Sequence, residues 1–224
     1  MDRMEIDGSV LEGGGQILRV SVALSAVTGR PIRTYNVRAK RSPPGLRAQH
    51  MNAVRALGQL ADAEVAGLGI GSKEIEFNPS SPKGGSFKID VGTAGSTSLV
   101  LQALMPVMSF SRSKTFVEIK GGTNNPMAPA VEYLQEVLLP AVSKMGYKGS
   151  IELLRRGFYP RGQGIVRAAV EPVEALKPII IEELGEVEEI RGISYSSRLP
   201  AHIVERMARS ADKVLRAAGY KSVN

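Results

Sequence analysis

An internal repeat with a spacing of roughly 80 residues constrains the fold of this chain more than any other feature. The first copy has a Gly-rich turn at 13–15, an apolar helix, a Thr-Gly-Arg-Pro turn and a strand at 32–37. The second copy has a Gly/Ser/Thr turn at 92–97, a helix at 99–108 and a strand at 115–119. Self-similarity at a fixed period indicates that one supersecondary unit is used twice.

Each copy continues in the same way after its strand. A polar turn with prolines comes first, at 42–45 and at 124–126, and a second helix follows, which in the first copy covers 46–60. Further strands are predicted at 64–68, 74–77, 87–91, 150–154 and 166–170. This order predicts a mixed α/β (α+β) fold of βαβαββ units, about 1–85 and 86–172, with helices packed against a sheet.

The composition changes after residue 170. The segment 171–189 holds seven acidic residues and a single cation, which indicates a domain boundary near 172. The remainder, 173–224, is a poor independent core at this size, so we expect it to be the first part of a smaller, incomplete α/β domain. Its predicted elements are strands at 178–181 and 189–195 and an amphipathic helix at 201–218.

Positive charge is concentrated in one segment. Between residues 13 and 61 there is no Asp or Glu, although the chain as a whole has a formal charge of only +7. Such clustering predicts a local polyanion site. Arg30, Arg33 and Arg55 are equally compatible with solvated surface positions. The eight cations are Arg19, Arg30, Arg33, Arg38, Lys40, Arg41, Arg47 and Arg55, and their preponderance of arginine favours phosphate or carboxylate recognition.

The Gly-rich turn at 13–15 precedes a helix, where free backbone N–H groups and the helix dipole attract anions. It is neither a P-loop nor a dinucleotide-binding fingerprint. Glu12 and Arg19 stand on either side of it, and a carboxylate beside a phosphate-binding turn suits Mg²⁺. The structural alternative is a tight turn that needs a positive φ.

His50 and His202 are the only histidines. Arg47 and His50 are three residues apart, so on one helix they would share a face, and His50 is expected either to cap and pack the helix or to contact phosphate. His202 is expected to have a structural or surface role. The absence of cysteine excludes disulfides, thiolate metal sites and cysteine nucleophiles.

The first residues are charged and lack the apolar region of a signal peptide. The uncharged segment 91–111 contains Gly, Thr, Gln and Pro, which favours a buried helix over a membrane span. We therefore expect a cytoplasmic protein that does not interact with membranes.

Six blocks of sequence together resemble the RNA 3′-terminal phosphate cyclase family. They occur in order along most of the chain: EGGGQILR at 12–19, VRAKR at 37–41 with PGL at 44–46 and QH at 49–50, GTAGS at 92–96 with LVLQ at 99–102, GGTNNP at 121–126, GFYPRG at 157–162, and PAH at 200–202.

The resemblance implies a nucleotide-binding RNA-processing enzyme of the ligase class that uses ATP and Mg²⁺ (or Mn²⁺). In this family a histidine attacks the α-phosphate of ATP, AMP passes to the RNA 3′-phosphate, and the 2′-OH closes a 2′,3′-cyclic phosphate by expelling AMP. The 2′-OH makes RNA with a 3′-terminal phosphate the substrate. The fold implied is a set of βαβαββ units with a smaller inserted α/β domain.

The resemblance also implies roles for individual residues. Arg19, Arg38 and Arg41 would hold phosphate oxygens during catalysis, whereas Gln49 and His50 would contact the substrate. Nucleotide contacts would come from Glu12, Gln102 and Pro126, with Glu12 also contacting the metal.

Family chains continue beyond the end of this one, and their third repeat carries the nucleophilic histidine. Neither His50 nor His202 matches that residue, so we expect this chain to be inactive alone. Two other functions are considered: a cyclase-like, non-catalytic RNA-binding protein of ribosomal RNA processing, and a plain phosphate- or RNA-binding module. The presence of Glu12, Arg19, Arg38 and Gln102 argues against the non-catalytic protein, and the oligomeric state is left open.

Overall fold

The computed structural model describes residues 2–183 and 185–224, in two compact units that divide between Ile179 and Ile180. The first unit contains most of the secondary structure. Its elements are β1 Met4–Asp7, α1 Gly15–Thr28, β2 Ile32–Tyr35, α2 Ala48–Leu60, β3 Glu64–Ala66, β4 Ile75–Asn78, β5 Gly85–Asp90, α3 Thr97–Ser109, β6 Thr115–Gly121, α4 Val131–Tyr133, a π-helical segment Leu134–Leu138, α5 Leu139–Ser143, β7 Lys148–Arg155 and β8 Gly164–Glu171.

Two four-stranded sheets have the same topology. The first has the order β1-β2-β4-β3, and the second has the order β5-β6-β8-β7. In each sheet the first two strands are parallel, as in the pairing of Met4 with Ile32, and the other neighbours are antiparallel. The βαβαββ unit therefore occurs twice, which confirms the predicted repeat and the α+β class.

Strand alternation and helix packing position the core. In β8 the side chains of Val166, Ala168 and Val170 are buried and alternate with more exposed neighbours, as expected for a sheet that is covered by helices on one face. Helix α3 packs against α1 and α2, and most of its residues are buried. The predicted buried helix within 91–111 is thus confirmed, and no helix in the described part of the chain is long and apolar enough to cross a membrane.

The two repeats are joined through buried polar contacts as well as apolar ones. The amide of Asn52, on α2, donates a hydrogen bond to the carbonyl of Val91, just after β5, at 3.0 Å. A buried amide must be paired to offset its desolvation, so this bond fixes how α2 meets the second sheet. The start of α2 is thereby held beside the Gly-rich turn of the second repeat.

The second unit contains one helix, α6 Ala201–Ala217, which begins directly after Pro200 and confirms the helix predicted at 201–218. The strands predicted at 178–181 and 189–195 are wrong: the described residues there form only an isolated bridge between Ile190 and Val223. A strand needs a neighbour along its length, and only three backbone hydrogen bonds among the described residues join Ile190 and Gly192 to the C-terminal residues, which is too short a contact for a strand. The division into 1–172 and an inserted domain stays a prediction.

Candidate phosphate-binding site

The starts of α1 and α2 and the turn after β2 surround a cavity of about 910 Å³. Six of the predicted site residues line it: Glu12, Arg19, Arg38, Arg41, Gln49 and His50. The structure therefore brings residues from two of the six sequence blocks together. Their charge is dominated by three arginines against a single carboxylate, which suits an anionic ligand.

The Gly-rich turn brings the α1 backbone close to cationic and polar side chains. Gly13 has a φ of +54°, in the left-handed region, so the alternative of a tight turn that needs a positive φ applies to this glycine. At Gly15 the reason is space, because a Cβ would overlap Nε2 of His50. A Cβ on Gly14 would lie 3.3 Å from Nη2 of Arg41. The glycines thus allow the backbone conformation of the turn and also leave space for the side chains that line the cavity.

Two helix N-termini lie at this cavity, and in neither case does the side chain of the preceding residue cap the helix. Helix α1 follows Gly14, which has no side chain to accept a hydrogen bond, and α2 follows Arg47, whose guanidinium has no acceptor atom. In α3, by contrast, the Ser96 hydroxyl accepts a hydrogen bond from the N–H of Leu99 at 3.2 Å. The N–H groups at the helix starts and two positive dipole ends attract a bound anion.

His50 is 4% exposed and caps its own helix. The backbone N–H of Arg47 donates a hydrogen bond to Nδ1 at 3.3 Å, which leaves the proton of the neutral ring on Nε2. Burial, and then the charges of Arg38, Arg19 and Arg47, lower the pKa of His50 to about 4. At neutral pH the ring is therefore an uncharged hydrogen-bond donor. The capping alternative is confirmed, while phosphate contact through Nε2 stays a prediction.

The predicted helix start at 46 was two residues too early. Arg47 precedes α2 in extended backbone, with φ −114° and ψ 165°. Its contact with His50 is therefore made by the backbone and not by a shared helix face. The side chain of Arg47 is exposed, and its charge still reaches the pKa values of both His50 and Arg38.

Arg19 differs from the other catalytic candidates in its hydrogen bonding. Its side chain is partly buried, and burial lowers its pKa, although a guanidinium remains charged at any physiological pH. Within residues 2–183 and 185–224, no group accepts a hydrogen bond from Arg19. A partly buried cation without an acceptor is costly, and a bound anion would relieve that cost.

Arg38 and Arg41 already have partners. Arg38 has a φ of +54° and donates to the carbonyls of Pro43 at 3.0 Å and Gly45 at 2.7 Å. Burial, and then the charges of Arg47 and Arg41, lower the pKa of Arg38. Arg41 forms an exposed ion pair with Glu12, with 3.1 Å between Nη2 and Oε2. Exposed pairs are weak, so Arg41 can exchange this carboxylate for a phosphate at little cost.

The other basic residues of 13–61 are used elsewhere. Arg33 forms ion pairs with Glu5 and Glu74 on the solvent face of the first sheet. Arg55 donates a hydrogen bond to the side-chain oxygen Oδ1 of Asn52 at 2.9 Å. Arg30 lines a separate groove beside β1. The nitrogen Nζ of Lys40 donates to the backbone of Leu11 at 2.8 Å, which ties the turn after β2 to the Gly-rich turn. Arg30, Arg33 and Arg55 therefore lie away from the cavity, as the alternative of surface positions predicted.

The predicted nucleotide contacts lie partly outside the main cavity. Gln102 lines a smaller groove of about 120 Å³ between α1 and α3, and Arg19 lines both spaces. Pro126 is exposed and directly precedes Met127, which lines the main cavity. Glu12 is at the main cavity with its side chain 86% exposed.

The sequence did not predict an apolar rim on this cavity. Leu11 is 85% exposed and Met127 is 99% exposed, and both have a positive φ in turns next to predicted motifs. Neither residue belongs to an apolar periodicity, so no pattern indicated a role. The only available signal was an apolar residue within a turn rich in Gly, Asn or Pro. The rim gives the cationic cavity an apolar wall.

The equivalent turn of the second repeat is filled by the chain itself. The amide of Asn125 donates to the carbonyl of Ala94, and the N–H of Gly122 donates to the carbonyl of Gly95 at 2.8 Å. The N–H of Thr97, at the start of α3, donates to the carbonyl of Gly122 at 2.9 Å. The N–H groups of Thr97 and Leu99 at the start of α3 therefore both have partners within the chain.

Comparison with known proteins shows the family of this chain. Residues 10–216 match the family model described as RNA 3′-terminal phosphate cyclase. A protein of that name from Ignicoccus hospitalis is 52% identical over 221 residues, covering 99% of this chain and 63% of the relative. One from Pyrococcus furiosus is 50% identical over 214 residues, covering 96% and 63%. This chain thus spans less than two thirds of these relatives, and it belongs to the RNA 3′-terminal phosphate cyclase family.

Proposed function

We propose that this chain forms the phosphate-binding part of an RNA 3′-terminal phosphate cyclase. The reaction would convert an RNA 3′-phosphate into a 2′,3′-cyclic phosphate at the expense of ATP, through enzyme–AMP and RNA-adenylate intermediates, and would form a phosphoric ester bond. One observation carries this proposal: Arg19, Arg38 and Arg41 meet at two helix N-termini in one cavity. The names of the relatives supply the substrate class.

The cavity residues would hold the terminal phosphate in complementary ways. Arg19 offers a guanidinium without a competing acceptor, and Arg41 is released from Glu12 when an anion binds. Nε2 of neutral His50 donates a hydrogen bond to a phosphate or ribose oxygen, and the Gln49 amide lies beside it. Preorganised donors of this kind stabilise the charge that develops during phosphoryl transfer.

ATP with Mg²⁺ or Mn²⁺ would be the second substrate. In the described part of the chain no three His, Asp or Glu side chains form a metal cage, so a resident metal ion does not fit. A metal that arrives with the triphosphate does fit, because Mg²⁺ needs only one or two carboxylates besides phosphate oxygens and water. Glu12 would supply that carboxylate, and the metal would offset phosphate charge. Gln102 and Pro126 would contact the nucleotide.

We propose that neither histidine of this chain is the nucleophile that receives AMP. Nδ1 of His50 is engaged by the Arg47 backbone, and Nε2 packs against the backbone of Gly15. Because Nδ1 accepts that N–H, Nε2 carries the ring proton and has no free lone pair to attack the α-phosphate, so the ring can donate a hydrogen bond but is not placed as a nucleophile. His202 begins α6 in the second unit and is exposed.

Salt dependence of RNA binding tests the proposed phosphate site. Affinity for a single-stranded RNA that ends in a 3′-phosphate should fall with salt, with a log–log slope of about −0.7 per neutralised phosphate. Arg41→Ala should make that slope shallower. Arg33→Ala removes the same charge from the outer face of the sheet and should leave the slope unchanged. Equal slopes in wild type and Arg41→Ala would refute the proposal.

A further inference from the structure

An exposed aromatic residue stands on the turn at 157–162, which the site described above does not use. Tyr159 is 83% exposed, and Arg161 is exposed two residues later. In the part of the chain that the structure describes, Arg161 forms no ion pair. An exposed aromatic ring and an exposed cation without an ion pair are thus close in sequence.

Hydrogen bonds hold this turn in place. The N–H of Thr123 donates to the Gly157 carbonyl at 2.9 Å, and the N–H of Gly157 donates to the Thr123 hydroxyl at 3.0 Å. Across the turn, the N–H of Gly162 donates to the Phe158 carbonyl at 2.7 Å. Tyr159 is therefore carried by a fixed backbone, and ordering its ring on a ligand would cost little conformational entropy.

The same turn lies close to the phosphate cavity. A Cβ on Gly162 would be 2.8 Å from Cα of Ala94, so the turn packs on the Gly-rich turn of the second repeat. A Cβ on Gly95 would be 3.0 Å from Cβ of Gln49, which lines the cavity. One layer of backbone thus separates the Tyr159 turn from the cavity wall. Met127, on the cavity rim, follows Thr123 closely in sequence, and Thr123 is the residue that anchors the turn.

We propose that Tyr159 and Arg161 form a second RNA contact, which binds the single strand upstream of its 3′-terminal nucleotide. The Tyr159 ring stacks on a base, and the Arg161 guanidinium contacts an adjacent phosphate. Stacking on an exposed aromatic side chain, combined with a cation on the backbone, is how single-stranded RNA is held without sequence readout. The inference rests on the proposed function, because the phosphate cavity fixes which end of the RNA lies nearby.

Binding of two ligands of different length tests this contact. The probes are uridine 3′-monophosphate, which reaches only the cavity, and a five-nucleotide oligouridylate with a 3′-phosphate. Wild type should bind the longer probe more tightly than the shorter one. Tyr159→Ala should lower this gain in affinity by about tenfold. Tyr159→Phe, which keeps the ring, should retain the gain. The short probe should bind equally to all three proteins.

Control variants separate the possible outcomes. Tyr220→Ala removes another exposed tyrosine, in the second unit, and should change neither affinity. Arg161→Ala should weaken the longer probe alone and make its salt dependence shallower. An unchanged length gain in Tyr159→Ala would overturn this inference and leave the cavity proposal standing. If neither probe binds to wild type, the proposed function fails and the second contact fails with it. A loss of self-association in Tyr159→Ala, with RNA binding unchanged, would make the turn a protein interface and would also overturn the inference.

Discussion

The ring of His50 connects the starts of α1 and α2. Nδ1 accepts the backbone N–H of Arg47 at 3.3 Å, just before α2, and Nε2 faces the backbone of Gly15 at the first residue of α1. A buried neutral imidazole thus sets the distance between two helix ends whose N–H groups meet at one cavity. The predictions below follow from this contact and from the cations around it.

Gly15→Ala should disturb this contact directly. The new Cβ would overlap Nε2 of His50, so either the ring or the α1 start must move. Overpacking of this kind costs about 1–3 kcal/mol, and binding of phosphate ligands should weaken as well. Gly69→Ala is the matched control, because nothing lies within 4 Å of its added Cβ. Thermal unfolding of both variants checks the prediction, and equal stability would contradict it.

Stability should depend on the protonation of His50. The folded pKa is about 4 and the ordinary value is 6.5, so the unfolded chain binds more protons between these pH values. Stability from this group is therefore complete above pH 6.5 and is lost as pH falls towards 4, to a total of about 3 kcal/mol.

Denaturant titrations between pH 4 and 7 on wild type and His50→Gln measure that contribution. The variant lacks the titrating ring but keeps a group that can donate a hydrogen bond, so its stability should change less over this range. Carboxylates titrate in both proteins and cancel in the comparison. Parallel pH profiles for the two proteins would show that His50 does not contribute.

Glu12→Gln should separate metal binding from anion binding. The substitution removes an exposed ion pair with Arg41, so stability should change by less than about 1 kcal/mol. Inorganic phosphate should bind more tightly, because Arg41 no longer has a competing carboxylate. ATP binding should lose most of its dependence on Mg²⁺. Isothermal titrations with and without Mg²⁺ check both effects, and a full metal dependence in the variant would count against Glu12.

Incubation with ATP labelled at the α-phosphate, in the presence of Mg²⁺, should give no covalent adduct with this chain. The reason is that neither histidine is placed as a nucleophile: one is packed between two helix starts and the other is exposed on α6. The longer relative from Ignicoccus hospitalis serves as the positive control, and the proposed mechanism predicts that it gives an acid-labile protein–AMP adduct. A stoichiometric adduct mapped to His50 or His202 would show that this assignment is wrong.

Local patterns predicted much of the fold. Helices α1, α2 and α3 follow Gly, Ser or Pro turns and have apolar faces, so their existence and approximate bounds were correct. The short strand Met4–Asp7 was missed, because four residues that mix apolar and charged side chains carry almost no periodic signal. The strands at 178–181 and 189–195 were wrong because apolar runs suggest strands even where the described chain offers no neighbouring strand.

The candidate site was predictable where its residues cluster in sequence. Glu12 and the arginines after β2 stand in short motifs, and the fold brings those motifs together. Long-range pairing decided the rest. Arg33 is held by Glu74, 41 positions away, through strand register, and no local pattern reveals this. The apolar rim formed by Leu11 and Met127 was likewise set by turn geometry.

The most direct test of the central claim is the difference in affinity between one oligoribonucleotide with a 3′-phosphate and the same strand with a 3′-hydroxyl. Wild type should prefer the phosphate, and Arg19→Ala should reduce that preference by about ten- to a hundredfold, as expected for a hydrogen bond between charged groups. Because no described residue accepts a hydrogen bond from Arg19, the substitution breaks no hydrogen bond. Arg33→Ala should keep the full preference. An unchanged preference in Arg19→Ala, or none in wild type, would contradict the assignment of this cavity to the RNA 3′-phosphate.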